Sequence, residues 1–278
     1  MNNKSNVDEK VVSDFGSEWS RFDQTLLTLD DHNKMFDDYF HFFPWSDLPE
    51  ESIGADIGCG SGRWAGPVAN RVGHLKLIDA SSEALAVAYK NLGMRQNISF
   101  ICASVDDLKI EESSLDFAYS LGVLHHIPDT LGGLISIARY LKPRAPFLVY
   151  LYYNFENRSN GFICLWKLSN LLRKLISKSP ENFKHFACEI IALSIYFPLA
   201  RIGLLLDKFG VMPNAWPLSY YRRRSYYVMR TDALDRFGTS LEKRFSRQEI
   251  TYMMESAGFI NIRFSDRQPF WTVIGFKK

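Results

Sequence analysis

Three glycines at alternate positions, Gly58, Gly60 and Gly62, follow a short run, Ile53–Ile57, that carries a single acid, Asp56. The run reads as a buried strand. The glycines read as a tight turn, where missing Cβ atoms let a ligand lie against the backbone. A helix opening at Arg63 aims its free N–H groups and positive dipole end into the same space. Whatever else the chain does, it must hold this loop still and bring something to it.

The flanking sequence supplies the frame. After Ile53–Ile57 a helix is expected over about 63–72. A strand follows at Leu75–Ile78, ending at Asp79, and Ser81-Ser82-Glu83 opens the next helix. Ile98–Cys102 and Leu115–Ser120 read as further strands. Leu131–Tyr140 reads as a helix stopped by Lys142-Pro143, and Pro146–Tyr152 as a fifth strand. Strands alternating with helices at this spacing predict a three-layer α/β fold with a mostly parallel sheet. Near the C-terminus, Ser246-Arg247-Gln248-Glu249 is a capping box opening a helix that Gly258 closes. The strands Phe259–Ser265 and Phe270–Phe276 are joined too closely for a parallel crossover, so the last strand is expected to run antiparallel.

Two segments stand outside the alternation. Residues 1–13 read as a loose tail, and from Phe15 to Phe43 the apolar residues recur every three or four positions, as in short amphipathic helices. The expected organisation is a helical cap over 1–49, a core over 50–154 and 244–278, and a helical insertion over 155–243. Within the insertion Phe162–Ser177 is amphipathic, and Ala187–Phe209 is a more apolar helix or a broken pair. Trp216–Arg230 is basic and aromatic. Residues 155–243 carry fourteen Lys and Arg against seven Asp and Glu, a net +7, whereas the rest of the chain carries nineteen against twenty-four, a net −5. The overall +2 therefore hides two unlike parts.

Composition closes some doors. Cys59, Cys102, Cys164 and Cys188 lie far apart, which suits neither a zinc site nor a disulfide framework and points to a reducing, cytoplasmic setting. No metal ligand set is expected. The polar start lacks the apolar centre of a signal peptide. The most apolar stretch, Ile190–Ala200, is shorter than the roughly 20 residues that span a bilayer.

Taken with the fold pattern, four motifs resemble the Rossmann-like class I S-adenosylmethionine-dependent methyltransferases. They are ADIGCGSG (55–62), Asp79 at the end of strand two, FICASVDDL (100–108) and LDFAYSLGVLHHIPD (115–129). The resemblance covers 50–154 and 244–276, and it implies S-adenosylmethionine as cofactor. It assigns the methionine end to Asp56, Gly58, Cys59, Gly60 and Gly62, and the ribose to Asp79 with Ala80 beside it. The adenine falls to the segment containing Ser104 and Val105, and Leu121 lies beneath the methyl group. Ser104 stands where many members have an acid, so Ser104, Asp106 or backbone is expected to hold the adenine amine. The residues agree on their own terms. Dinucleotide loops run G-x-G-x-x-G, but Arg63 stands where the third glycine would fall. Asp56 would repel a pyrophosphate and suits a cationic amino group.

Methyl transfer is an in-line displacement in which catalysis is largely positioning and exclusion of water, with a general base where the acceptor is a hydroxyl. Candidates at the carboxyl ends of strands four and five are His125 or its neighbour His126, with His125 preferred as closer to the strand, together with Tyr152 and Asn154. Trp19 and the Phe15–Phe22 segment are expected to form a lid or a docked surface helix. In the insertion, Tyr220, Tyr221, Arg224 and Tyr226 are expected to bind the acceptor: a sugar, nucleotide-sugar, glycan or lipid-linked molecule methylated on O or N. Residues 162–209 are expected to make peripheral contact with a membrane. Nucleic acid is disfavoured, since no Asn-Pro-Pro-Tyr-like tetrapeptide follows strand four. A non-catalytic cofactor-binding regulator remains the alternative, with an RNA methyltransferase behind it.

Overall fold

The computed structural model describes residues 6–156, 158–211 and 216–278. Among them, seven strands form one sheet: β1 (Ile53–Ile57), β2 (His74–Asp79), β3 (Ile98–Cys102), β4 (Phe117–Leu121), β5 (Pro146–Tyr150), β6 (Phe259–Phe264) and β7 (Thr272–Lys277). Their order is β3-β2-β1-β4-β5-β7-β6. Strands β1 to β5 pair in parallel, and β7 runs antiparallel to both β5 and β6. This is the mostly parallel, Rossmann-like sheet expected, with its antiparallel last strand.

The central strands are covered on both faces, so they read as continuous apolar runs without alternation. Leu77, Phe117, Tyr119 and Phe147 are completely buried there. One acid sets the register: Asp116, just before β4, accepts the Ile53 N–H at 2.9 Å and pairs with Lys142 at 2.6 Å. The start of β1, and hence the position of its glycine loop, is thereby fixed to β4. Between the strands lie α3 (Ala65–Ala69), α4 (Ser82–Leu92) and α5 (Thr130–Tyr140), with α10 (Arg247–Ser256) before β6. The helix expected over 63–72 is shorter because Arg63 and Trp64 are still in the turn.

The chain divides into two compact units. The first contains Met1–Asp23, Phe36–Glu156 and Leu241–Lys278; the second contains Gln24–Met35 and Asn157–Ser240. The cap expected over 1–49 is therefore divided. Residues 1–5 lie outside the described residues, but 6–13 are not a loose tail. Asp8 accepts the Val11 N–H at 3.1 Å and caps α1 (Glu9–Arg21), which packs on α4. In the second unit, the segment that begins α2 (Leu29–Phe40) is held by Tyr227, whose hydroxyl accepts the Gln24 N–H at 3.0 Å.

The second unit is helical: α6 (Asn160–Ile176), α7 (Glu181–Ile191), α8 (Phe197–Lys208) and α9 (Tyr226–Gly238). A π-helical segment, Ala192–Tyr196, makes α7 and α8 continuous, and Pro198, which has no N–H to donate, follows directly on that irregular turn. The resulting helix, Glu181–Lys208, has 28 residues and is long and apolar enough to cross a membrane. This corrects the shorter Ile190–Ala200 reading, which stopped at Glu189 and Arg201. Both charges are met inside the unit: Glu189 accepts from Arg230 at 2.8 Å, and Arg201 donates to the Arg222 and Arg224 carbonyls at 3.1 Å. Helices α6 and α7 both pack on α9, whose Val228, Met229, Ala233, Leu234 and Phe237 are buried.

Candidate active site

The loop after β1 turns through three residues of positive φ: Gly58 at 76°, Gly60 at 53° and Gly62 at 74°. At the first two, space as well as conformation demands glycine. A Cβ on Gly58 would lie 2.4 Å from Val123, and one on Gly60 would lie 2.6 Å from the Trp19 indole nitrogen. The Gly58 and Cys59 N–H groups both donate to the Ile78 carbonyl, at 2.8 and 3.1 Å, so the loop is tied to the end of β2.

Asp79 joins this loop to the turn after β2. One carboxylate oxygen accepts the Gly60 N–H at 2.8 Å and the other accepts the Ser81 N–H at 2.9 Å. Burial raises the Asp79 pKa, opposed by bonds from the backbone of Ser81, Gly60 and Ala80. Ser81 in turn caps α4, accepting the Ala84 N–H at 3.2 Å.

Around this carboxylate the first unit forms a partly open cavity. It lies at the carboxyl ends of the parallel strands, where open α/β sheets bind ligands. Gly58 follows β1, Asp79 ends β2 with Ala80 after it, Ser104 and Val105 follow β3, and Leu121 ends β4 with Val123, His126 and Ile127 beyond it. The remaining wall is the N-terminal segment, with Asn6, Val11, Phe15 and Trp19 facing in. Asn6 latches that segment. Its side chain donates to the Asp129 carbonyl at 2.7 Å and accepts the Asp129 N–H at 2.6 Å, while its own N–H donates to the Asp106 carboxylate at 2.5 Å.

The expected site residues thus separate. Gly58, Asp79, Ala80, Ser104, Val105, Leu121 and Trp19 line the cavity. Asp56 does not. It is 1% exposed and accepts the Tyr119 hydroxyl at 2.9 Å. Burial, with the Asp79 charge adding and the Tyr119 bond opposing, pushes its pKa up to about 8. Cys59 is buried beside the loop, its thiol raised well above the usual range by burial and by the charges of Asp79 and Asp56. Gly60 and Gly62 shape the loop without lining the cavity. Arg63 stacks on Trp19 and Trp64, with its guanidinium 5.1 and 4.9 Å from their ring centres.

The two histidines have different surroundings. His125 is completely buried, stacked at 3.8 Å on Tyr152, and lies outside the cavity wall. Burial and the neighbouring His126 and Arg244 hold its pKa well below the ordinary value. His126 lines the cavity, edge-on to Phe15 at 5.0 Å. Its Nδ1 lies 2.5 Å from the Leu241 carbonyl, which can only accept, so Nδ1 carries the proton and Nε2 is the basic nitrogen of the neutral ring. Asn154 is exposed and accepts the Glu156 N–H at 3.1 Å, which makes it a turn residue.

In the second unit the expected acceptor residues serve internal contacts. The Tyr226 hydroxyl donates to Glu189 at 3.0 Å, and Tyr221 is bonded to Asp232. Arg224 is buried with its guanidinium 4.9 Å from the Tyr220 ring centre, and Arg223 pairs with Asp207 at 2.7 Å. Among the described residues no group of three His, Cys, Asp or Glu side chains could hold a metal.

Comparison with known proteins agrees with this geometry. Residues 55–149 match the family described as Methyltransferase domain. Phosphoethanolamine N-methyltransferase 2 of Caenorhabditis elegans is 35% identical over 100 residues, which are 35% of this chain and 23% of that protein. Demethylmenaquinone methyltransferase of Bacillus licheniformis is 23% identical over 141 residues, 49% of this chain and 60% of that protein. The chain thus spans less than two thirds of either relative. The structure of human N-acetylserotonin methyltransferase in complex with SAM superposes with a TM-score of 0.54 at 16% identity, covering 94% of this chain and 56% of that one. Residues 55–149 are thus similar to a methyltransferase domain, and the chain shares the fold of that solved structure.

Proposed function

We propose that the chain methylates a small-molecule acceptor, using S-adenosylmethionine held in the cavity of the first unit. The observation that carries this reading is that Asp79 and His126 line one cavity at the carboxyl ends of the strands. The cavity suits this cofactor. Asp79 accepts from the backbone of Gly60, Ser81 and Ala80 and keeps lone-pair capacity for ribose hydroxyls. Val105 and Leu121 offer apolar surface to an adenine and a methyl-bearing end, and the turn lacks the third glycine of a pyrophosphate loop. When bound, the cofactor supplies an electrophilic methyl group on a sulfonium.

The chain's own residues do the rest. Trp19, Phe15 and the α1 segment exclude water, and the glycine loop is held by Ile78 and Asp79. His126 Nε2 accepts the proton of a hydroxyl acceptor, or orients an amine, while the Leu241 carbonyl fixes its tautomer. Two relatives are named for small molecules, phosphoethanolamine and demethylmenaquinone, which supports an acceptor of that size. The basic second unit favours a phosphorylated, sugar-linked or lipid-linked acceptor.

The test is a screen of such acceptors with methyl-labelled cofactor, run on the wild type and on His126→Gln. Labelled product that falls about 100-fold in the variant, within the usual range for loss of a general base, with unchanged cofactor affinity, supports the assignment. Cofactor binding with no transfer to any acceptor would make the chain a non-catalytic binder.

A further inference from the structure

Fifteen of the twenty-two large hydrophobic side chains exposed among the described residues fall between Leu165 and Val211. Exposed apolar surface gathered so densely marks an interaction face. On α6, at about 3.6 residues per turn, Leu165, Leu168, Leu172 and Leu175 gather into one exposed stripe. Exposed Lys167 and Lys174 lie along its flank, with Lys178 just past the helix end. On α7 and the π-helical segment after it, Phe183, Phe186, Ile190 and Leu193 repeat at intervals of three and four and are likewise exposed.

We infer that these stripes are a docking surface for an anionic membrane, with α6 and the Glu181–Lys208 helix lying in the plane of the interface. An apolar stripe bordered by lysines is the pattern of an interfacial helix, whose stripe enters the acyl boundary while its cations meet lipid phosphates. Charge selects the lipid, since residues 155–243 carry a net +7. Charge also decides against spanning. One side of the Glu181–Lys208 helix is bound into its unit, with Lys184 buried, Glu189 paired to Arg230 and Arg201 bonded to the Arg222 and Arg224 carbonyls. Only the other side is free to meet lipid. The inference rests on the second unit and stands whichever acceptor takes the methyl group.

The test is co-sedimentation of the full chain with vesicles of phosphatidylcholine alone or with 30% (about a third) phosphatidylglycerol, a composition near that of anionic membranes. Binding should be at least ~10-fold stronger to the anionic vesicles, weaken with salt, and be released by alkaline carbonate. Leu168→Glu with Phe186→Glu should lose binding ~10-fold while circular dichroism melting and cofactor binding stay unchanged. Lys167→Glu with Lys174→Glu should remove the preference for anionic lipid and carries little risk of misfolding, since both side chains are exposed. Absence of wild-type binding to either vesicle would overturn the inference. So would resistance to carbonate, or a dimer, seen by sedimentation velocity, that the Leu168 and Phe186 substitutions dissociate while vesicles go unbound.

Discussion

At the scale of single residues, two acids on neighbouring strands do different work. Asp79 stands on the cavity wall, whereas Asp56 is sealed behind it under Tyr119. With a folded-state pKa of about 8 against an ordinary value near 4, Asp56 is protonated in the native protein at neutral pH. Between those values the native state binds a proton that the unfolded chain has lost. The stability this gives is fully present below about pH 4 and is lost as pH rises through about 8. Asp56→Asn mimics the protonated form and keeps an acceptor for Tyr119. Its urea midpoint should therefore change less between pH 5 and 8 than that of the wild type; parallel curves would refute the buried proton. Orientation separates the two histidines, which are equally buried. The sequence places His125 and His126 side by side at the right loop, and only the fold decides that His125 turns toward Tyr152 and His126 toward the cavity. His125→Gln should leave any methyl transfer largely in place, whereas His126→Gln should lower it about 100-fold.

At the scale of elements, strands and their chemistry were readable because a doubly covered parallel sheet needs apolar runs punctuated by glycine and acid. Ile53–Ile57 and Ile98–Cys102 coincide with β1 and β3. The N-terminal segment was less readable. Val11, Phe15 and Trp19 show the right spacing, and Asp8 ahead of Glu9 is a serviceable cap, but nothing local reveals that Asn6 bridges to Asp106 and Asp129. Those contacts span about a hundred residues of chain and exist only once β3 and β4 are assembled. If Asn6 latches α1 over the cavity, Asn6→Ala should speed cofactor dissociation about 10-fold, as expected for losing bonds worth roughly 1 kcal/mol or more, with little change in melting temperature. Stopped-flow release at an unchanged rate would show that α1 does not gate the cavity.

At the scale of the whole molecule, the chain joins an acidic part that contains the match to a methyltransferase domain to a basic, helical insertion rich in exposed leucine and phenylalanine. The charge contrast was visible in the sequence. The fate of the insertion's tyrosines and arginines was not, because Glu189, Asp207 and Asp232, which occupy Tyr226, Arg223 and Tyr221, come from helices elsewhere in that unit. Sequence and structure meet at the glycine loop, whose third-glycine departure and downstream Asp79 support the proposed nucleoside site without a pyrophosphate. The most direct test is calorimetric titration of S-adenosylhomocysteine into the wild type and Asp79→Asn. One saturable site is expected in the wild type, weakened about 10- to 100-fold in the variant through loss of charge-assisted bonds worth roughly 1–3 kcal/mol. No binding to the wild type, or equal affinity in the two proteins, would contradict the nucleoside site.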